Sequence, residues 1–176
     1  MAIIRIGYID DFGVGHIPLT QGKEALCDAH WFSILSLHNW SALYAPNNGR
    51  WYAIRGDHKK GMQWMHRVVM GNPLALVDHK VRTATLDNRE ENLRLATYSQ
   101  NGYNRTKMSN NTSGYKGAYW HRASGKYSSQ ITINGKLLHL GLFKTAVEAA
   151  AVYNFAAMRL HGEFAALNDL SYVEAN

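Results

Sequence analysis

At 176 residues the chain has room for one domain or two small ones, and its 46% apolar and 11% aromatic content supplies packed cores and excludes wholesale disorder. No apolar run approaches the roughly 18 residues that span a bilayer, so no membrane partner is expected, and no secretory signal opens the chain. The one cysteine, Cys27, excludes an intrachain disulfide and a cysteine-rich zinc site, while the net charge of +6 points to a polyanionic partner, nucleic acid being the commonest.

Residues 1–77 read as short strands with one or two helical turns. Ile17-Pro18-Leu19-Thr20 and Glu24-Ala25-Leu26-Cys27 flank Gln21-Gly22-Lys23, a hairpin pattern. Asp28 is placed to cap a short helix over residues 29–37. Residues 40–45 and 50–55 read as paired strands across the turn formers Pro46-Asn47-Asn48-Gly49. Residues 62–65 suggest a third strand before a helical turn over 66–70, closed by Gly71. Trp40, Trp51 and Trp64 are expected in core or hairpin packing. His66 and Arg67 are open to two readings, contact with nucleic acid or a packed histidine beside a solvated arginine.

A short apolar strand, Leu74-Ala75-Leu76-Val77, leads into Asp78-His79, a polar loop, the phrase Asn92-Leu93-Arg94-Leu95-Ala96-Thr97, and Asn101 in an opening helical turn. Carboxylate and amide oxygens are hard donors suited to one divalent metal, Mg²⁺ or Mn²⁺. A neighbouring imidazole, poised near neutral pH, can take a proton from water. Together these are the parts of a one-metal phosphodiester hydrolase. Asn88 reads as a turn-shaping residue. Arg94 can pair with a backbone phosphate or with Glu90 four residues before it.

At these residues the sequence resembles the HNH (ββα-metal) nucleases, and in particular the phage-type homing endonucleases. The motif residues are Asp78-His79, Leu86-Asp87-Asn88, Asn92-Leu93-Arg94 and Ser99-Gln100-Asn101, with asparagine in the third signature place. The resemblance implies that Asp78 and Asn101 hold the metal and that His79 is the general base. It also implies that Asn92 pins the loop and orients the histidine. The family loop carries Asn-Gly-Asp just after the histidine, whereas this chain reads Lys80-Val81-Arg82-Thr83-Ala84-Thr85 and is one residue longer. Ile17 to Thr20, Gly49-Arg50-Trp51-Tyr52-Ala53 and Met65-His66-Arg67 resemble the N-terminal part of the same nucleases.

Residues 105–113 form a polar linker without apolar periodicity, whose Arg105 and Lys107 can track phosphates or simply be solvated. Beyond it, residues 115–121, 126–133 and 136–143 read as three strands, the last two joined by Asn134-Gly135, a strong hairpin signal. Tyr127, Ser129, Ile131 and Ile133 alternate with Ser128, Gln130 and Thr132 along the second strand. Thr145-Ala146-Val147-Glu148 is a capping box that opens a helix to about Leu160. Its residues Val147, Ala150, Ala151, Phe155 and Met158 are expected to cover the sheet.

Tyr115-Lys116-Gly117, Gly125-Lys126-Tyr127, Leu140-Gly141-Leu142-Phe143, residues 145–150 and His161-Gly162-Glu163-Phe164-Ala165 resemble the APETALA2-type DNA-binding domain. The resemblance implies a sheet face laid in the major groove of double-stranded DNA. The DNA-facing side chains it implies are Lys116, Tyr119, His121, Gln130, Thr132 and His139. The bases Arg94, Arg105, Lys107, Arg122 and Lys126 are expected to add phosphate contacts.

The resulting expectation is an α+β chain with an HNH nuclease domain over residues 1–104, a linker over 105–113 and a DNA-binding domain over 114–170. It would be a homing-type endonuclease nicking one strand of duplex DNA per active site, acting as a monomer or weak dimer. Host cytoplasm or nucleoid is the expected location. The alternative is a DNA-binding protein whose nuclease motif has decayed.

Overall fold

In the computed structural model, which describes residues 5–105, 107 and 110–171, the chain is α+β and divides into two units, Met1–Ala96 and Thr97–Asn176. Among the described residues no helix is long and apolar enough to cross a membrane.

In the first unit, β1 (Tyr8–Ile9), β2 (Val14–Pro18) and β3 (Glu24–Asp28) form an antiparallel sheet in that order. The turn between β2 and β3 has Gln21 and Gly22 at φ 61° and 64°, the left-handed pair that matches strand twist in a tight hairpin. Helix α1 (Ala29–Leu35) follows, shorter than the sequence suggests. Asp28 stands at its N-cap position but makes no capping bond, because its carboxylate accepts from the Glu90 amide at 2.8 Å. A second antiparallel sheet runs β4 (Ser41–Ala45), β5 (Arg50–Asp57), β6 (Gly61–Trp64), and the short helix α2 (Met65–Val69) follows. β7 (Leu76–His79) pairs antiparallel with β8 (Leu93–Ala96).

The core of this unit gathers Ile17, Ala25, Cys27, Leu35, Trp40, Ala53, Met65 and Leu93. Trp40 is fully buried and its indole N–H donates to the Leu35 carbonyl at 2.9 Å, which satisfies the one polar atom it takes inside. Trp51 packs on the edge of this core and Trp64 meets Tyr52 edge-on at 5.6 Å. Burial pushes the Cys27 thiol up to about 12, so it is an apolar packing group rather than a nucleophile.

The second unit opens with α3 (Tyr98–Tyr103), started by a reciprocal capping box between Thr97 and Gln100. Tyr103 ties this helix to its own unit: its ring stacks on His161 at 3.8 Å and its hydroxyl donates to Asn134 Oδ1 at 3.1 Å. Residues 97–104 therefore group with the C-terminal residues. β9 (Ala118–His121), β10 (Lys126–Ile133) and β11 (Lys136–Phe143) form an antiparallel sheet with β10 central, and α4 (Ala146–Leu160) packs on one face. The capping box of α4 is formed by Thr145 and Glu148. A register shift between Ser129 and Gln130 lets β11 carry one extra residue, Leu140, with Gly141 at φ 134° absorbing the bulge.

The face that α4 buries differs from the expected one. Ala149, Ala150, Tyr153, Ala156 and Ala157 are buried, while Phe155 and Met158 are 56% and 53% exposed on the opposite side. The cause is close approach. Gly117, at φ 77°, lies so near the Tyr153 ring that a Cβ would stand 2.0 Å from it, and a stripe of alanines lets the helix sit that low.

Candidate active site

The site is built on the β7–β8 ladder, where Asp78 stands opposite Arg94 and His79 opposite Leu93. Neighbouring residues on a strand point to opposite faces, so the carboxylate and the imidazole leave the ladder on different sides. Asp78 Oδ2 accepts from Arg94 Nη2 at 2.9 Å and Nε at 3.1 Å, with the two side chains only 11% and 8% exposed. A carboxylate this buried needs a charged partner, and the cross-strand arginine is that partner. Arg94 thus bonds Asp78 and not Glu90, which instead accepts from the Trp31 indole at 2.9 Å and faces His30 Nε2 at 3.2 Å.

The loop between the strands is closed by Asn92, itself buried. Its Oδ1 accepts from the Val81 amide at 2.9 Å, and its Nδ2 donates to the carbonyls of Ala84 (3.1 Å) and Asp87 (2.9 Å). The loop is also stitched to β3, with Leu26 donating to Leu86 and Asn88 donating to Leu26, both at 2.8 Å. Thr85 Oγ1 donates to the Trp51 carbonyl, which fixes the longer 80–85 segment against β5.

His79 is 4% exposed. Its Nε2 faces Asn88 Oδ1 at 3.4 Å, and the His66 ring meets it edge-on at 5.1 Å. Burial holds the His79 imidazole below its ordinary pKa, outweighing Asn88, Asp78 and Asp87, which favour the charged form. His79 is therefore a neutral imidazole at physiological pH. His66 is pushed down to about 3 by burial, with the His79 and Arg67 charges adding, so of its two sequence readings the structure has the packed one. Arg67 donates to the carbonyls of Ala75 and Pro73.

Asp78, His79 and Asn92 are thus brought together within the first unit, and Asn101 lies on α3 of the second. Three features escaped the sequence reading. The amide that faces His79 belongs to Asn88, which is fully buried, whereas the Asn92 amide is spent on the loop backbone. Arg50 and Arg82 both act on this site electrostatically: burial, then the Arg50 charge, brings the Arg82 guanidinium down to about 10, and the Arg50 charge also lowers the His79 pKa. Finally, Asp28, His30 and Glu90 place three donor atoms within 4.8 Å of one another, a carboxylate–imidazole group that could hold a divalent cation. No sequence rule links residues some 60 positions apart (His30 to Glu90 is 60).

In the second unit the open sheet face carries Lys126, Ser128, Gln130 and Thr132 of β10, paired with His121 and Tyr119 on one side and Leu142, His139 and Leu137 on the other. Five of the six side chains implied by resemblance, Tyr119, His121, Gln130, Thr132 and His139, therefore share that face. Ser128 Oγ accepts from Gln130 Nε2 at 3.1 Å and contacts His139 Nδ1 at 3.1 Å, and His121 Nδ1 contacts Ser124 at 2.8 Å. Lys116 is different: its ammonium donates to the carbonyls of Tyr103 (2.6 Å) and Arg105 (2.7 Å), at the C-terminal end of α3 where carbonyls attract a cation. Lys107 donates to the Gly114 carbonyl at 2.8 Å, while Arg105 and Arg122 are exposed. Leu137 and Leu142, 62% and 41% exposed, add an apolar component that the sequence reading did not assign to this face.

No family model matches the chain. A protein of Acanthamoeba polyphaga mimivirus named as an uncharacterized HNH endonuclease is 29% identical over 152 residues, covering 80% of this chain and 76% of that protein. Protein 3.8 of Escherichia phage T7 is 30% identical over 115 residues, covering 65% of this chain and 83% of that protein. The mimiviral likeness is a distant one; by the extent and identity of the other match, the chain belongs to the same family as Protein 3.8 of phage T7.

Proposed function

We propose that the protein is a metal-dependent endonuclease of HNH type that nicks one strand of duplex DNA per active site. The observation that carries this reading is His79: a buried, neutral imidazole next to Asp78, at the start of a loop that Asn92 closes. The distant likeness to a protein named as an HNH endonuclease supports the same class. The open sheet face of the second unit, with its histidines, amide and hydroxyl, supports DNA as the substrate.

The donor chemistry fits Mg²⁺ or Mn²⁺, to which Asp78 brings hard carboxylate oxygens. When bound, the cation supplies positive charge at the scissile phosphate and the leaving oxygen. His79 takes the proton of a water that attacks phosphorus in line with the P–O3′ bond, leaving 5′-phosphate and 3′-hydroxyl ends. Asn92 keeps the loop, and with it the histidine, in place.

A second reading has its own observation. The Asp78–Arg94 pair occupies a carboxylate oxygen with an arginine, as expected of a DNA-binding protein whose nuclease motif has decayed. One experiment separates the two. Supercoiled plasmid is incubated with the wild type and His79→Ala under Mg²⁺, Mn²⁺ or EDTA, with a gel shift in parallel. Metal-dependent nicking lost in His79→Ala establishes the nuclease; intact plasmid under every metal, with the shift retained, establishes the binding protein. Running Glu90→Gln beside Asp78→Ala in a Mn²⁺ titration tells whether the ion goes to the Asp28–His30–Glu90 group or to Asp78.

A further inference from the structure

Asn88 is the most buried polar side chain near His79, with 0% exposure, and every atom of its amide is accounted for. Nδ2 donates to the Leu86 carbonyl at 2.9 Å and lies 3.4 Å from Met65 Sδ. Both of those partners can only accept. Turning the amide over would set its oxygen against the Leu86 carbonyl, two acceptors with no proton between them, in a fully buried place. Oδ1 is therefore fixed toward His79 Nε2, and an oxygen at that nitrogen calls for an N–H. The imidazole packs beside His66, whose ring stands 5.1 Å away edge-on, and Tyr52, whose ring lies at 6.2 Å on a tilted plane. Asn88 cannot drift, since its own backbone amide is bonded to Leu26.

We infer that Asn88 is a positioning residue that holds His79 in its Nε2–H tautomer, so that the lone pair sits on Nδ1 and Nδ1 is the atom that takes the proton from the attacking water. This rests on the nuclease reading given above. It moves the orienting role from Asn92, whose amide is wholly engaged with the loop backbone, to the asparagine four residues earlier. Which ring nitrogen carries the proton is set by the hydrogen bond the other one makes, and a base in the wrong tautomer is no base at all. A positioned general base contributes on the order of 10²–10⁴-fold to rate, so its loss through the tautomer falls in that range.

The test reads the tautomer directly. The full chain, with ¹⁵N-labelled histidine, is examined by long-range ¹H–¹⁵N correlation at mildly alkaline pH without added metal, the His79 signals being those missing from His79→Gln. A pyrrole-type Nε2 and a pyridine-type Nδ1 in the wild type are the expected result. The acceptor under test is Asn88 Oδ1. Asn88→Leu, which removes it, gives mixed tautomers and nicks plasmid roughly 10²–10⁴-fold more slowly, with KM for DNA unchanged. An Nδ1–H tautomer in the wild type overturns the inference even if Asn88→Leu fails to fold, and so does an unchanged tautomer in a folded Asn88→Leu. A wild type that shows the Nε2–H tautomer but never cuts DNA refutes the nuclease and leaves the Asn88–His79 geometry standing.

Discussion

Removing Asp78 tests catalysis and folding at once, and the structure tells how to separate them. The Asp78 carboxylate and the Arg94 guanidinium are in contact at 2.9 Å and nearly buried. With charge centres about 4 Å apart and an effective dielectric of roughly 20, their attraction is about 4 kcal/mol. Asp78→Ala forfeits that attraction at a nearly buried guanidinium, so unfolding free energy should fall by about 3–5 kcal/mol. Asp78 also faces the Arg82 charge, which adds to the loss. Arg94→Met should cost a similar amount by removing the charge that the buried carboxylate pairs with. The double variant Asp78→Ala, Arg94→Met replaces both charges by apolar groups and should recover most of the loss, keeping only the share that the Arg82 charge contributes. Urea unfolding of all four proteins gives the cycle, and plasmid nicking is measured on the same samples. A stable double variant that does not nick assigns the Asp78–Arg94 pair to the reaction rather than to folding. Single variants within about 0.5 kcal/mol of wild type, or losses that simply add in the double, would refute the buried pair.

Three other outcomes follow from the packing and the titrating groups. Gly117→Ala should destabilise the second unit severely, by about 3 kcal/mol or more, since it adds left-handed strain to a clash with the Tyr153 ring; Gly125→Ala, at φ 61° with open space around its Cβ, should cost only about 1 kcal/mol in the same thermal melts. Tyr153→Ala should lose about 3–5 kcal/mol and Phe155→Ala less than about 1, a ranking that reverses if α4 buries the face the apolar count suggests. His66, depressed to about 3, stays neutral in the fold while the unfolded chain takes up a proton below about 6.5. Stability should therefore fall as pH drops from there toward 3, and urea midpoints for His66→Leu should lose part of that slope. His16 acts in the opposite sense. Glu24 at 2.6 Å and Asp10 at 3.1 Å raise its pKa, so its contribution is complete below the unfolded value and disappears as pH rises through the folded one.

Local chemistry made much of the fold readable. The hairpins at Gln21-Gly22 and Asn134-Gly135 need left-handed backbone at adjacent positions, and those residues tolerate it, so their turns could be placed from a few letters. The Thr145–Glu148 capping box and the alternation along β10 are equally local. The face of α4 is not. Counting apolar side chains selects Phe155 and Met158, but the packed face is decided by how near the helix can come to Gly117, a residue nearly 40 positions away whose missing Cβ leaves no periodic trace. The Asp28–His30–Glu90 group failed for the same reason: Asp28 looks like a helix cap, and only the return of the loop beside β3 turns its carboxylate toward Glu90. Asn88 and Asn92 sit in one loop with the same side chain, and the sequence cannot say which amide bends inward.

The charges around His79 explain why a neutral histidine is the useful form here. Arg82 remains protonated at physiological pH even when burial and Arg50 bring it down to about 10, and Arg50 acts on His79 as well. Positive charge is thus present around the imidazole without the imidazole supplying any. A phosphodiester arriving at this site would meet guanidinium groups for its negative charge, and His79 would not have to be protonated to attract it. Were His79 charged, it could neither accept a proton from water nor sit buried within 5.1 Å of His66 at so little cost. In the proposed nuclease, burial, which is a penalty for any ion, would keep His79 in the one state that can take a proton, while the arginines would carry the binding. Substituting Arg82 by Gln should accordingly weaken DNA affinity and flatten its salt dependence while leaving the His79 tautomer signals where they are, which separates attraction of the phosphate from activation of the water.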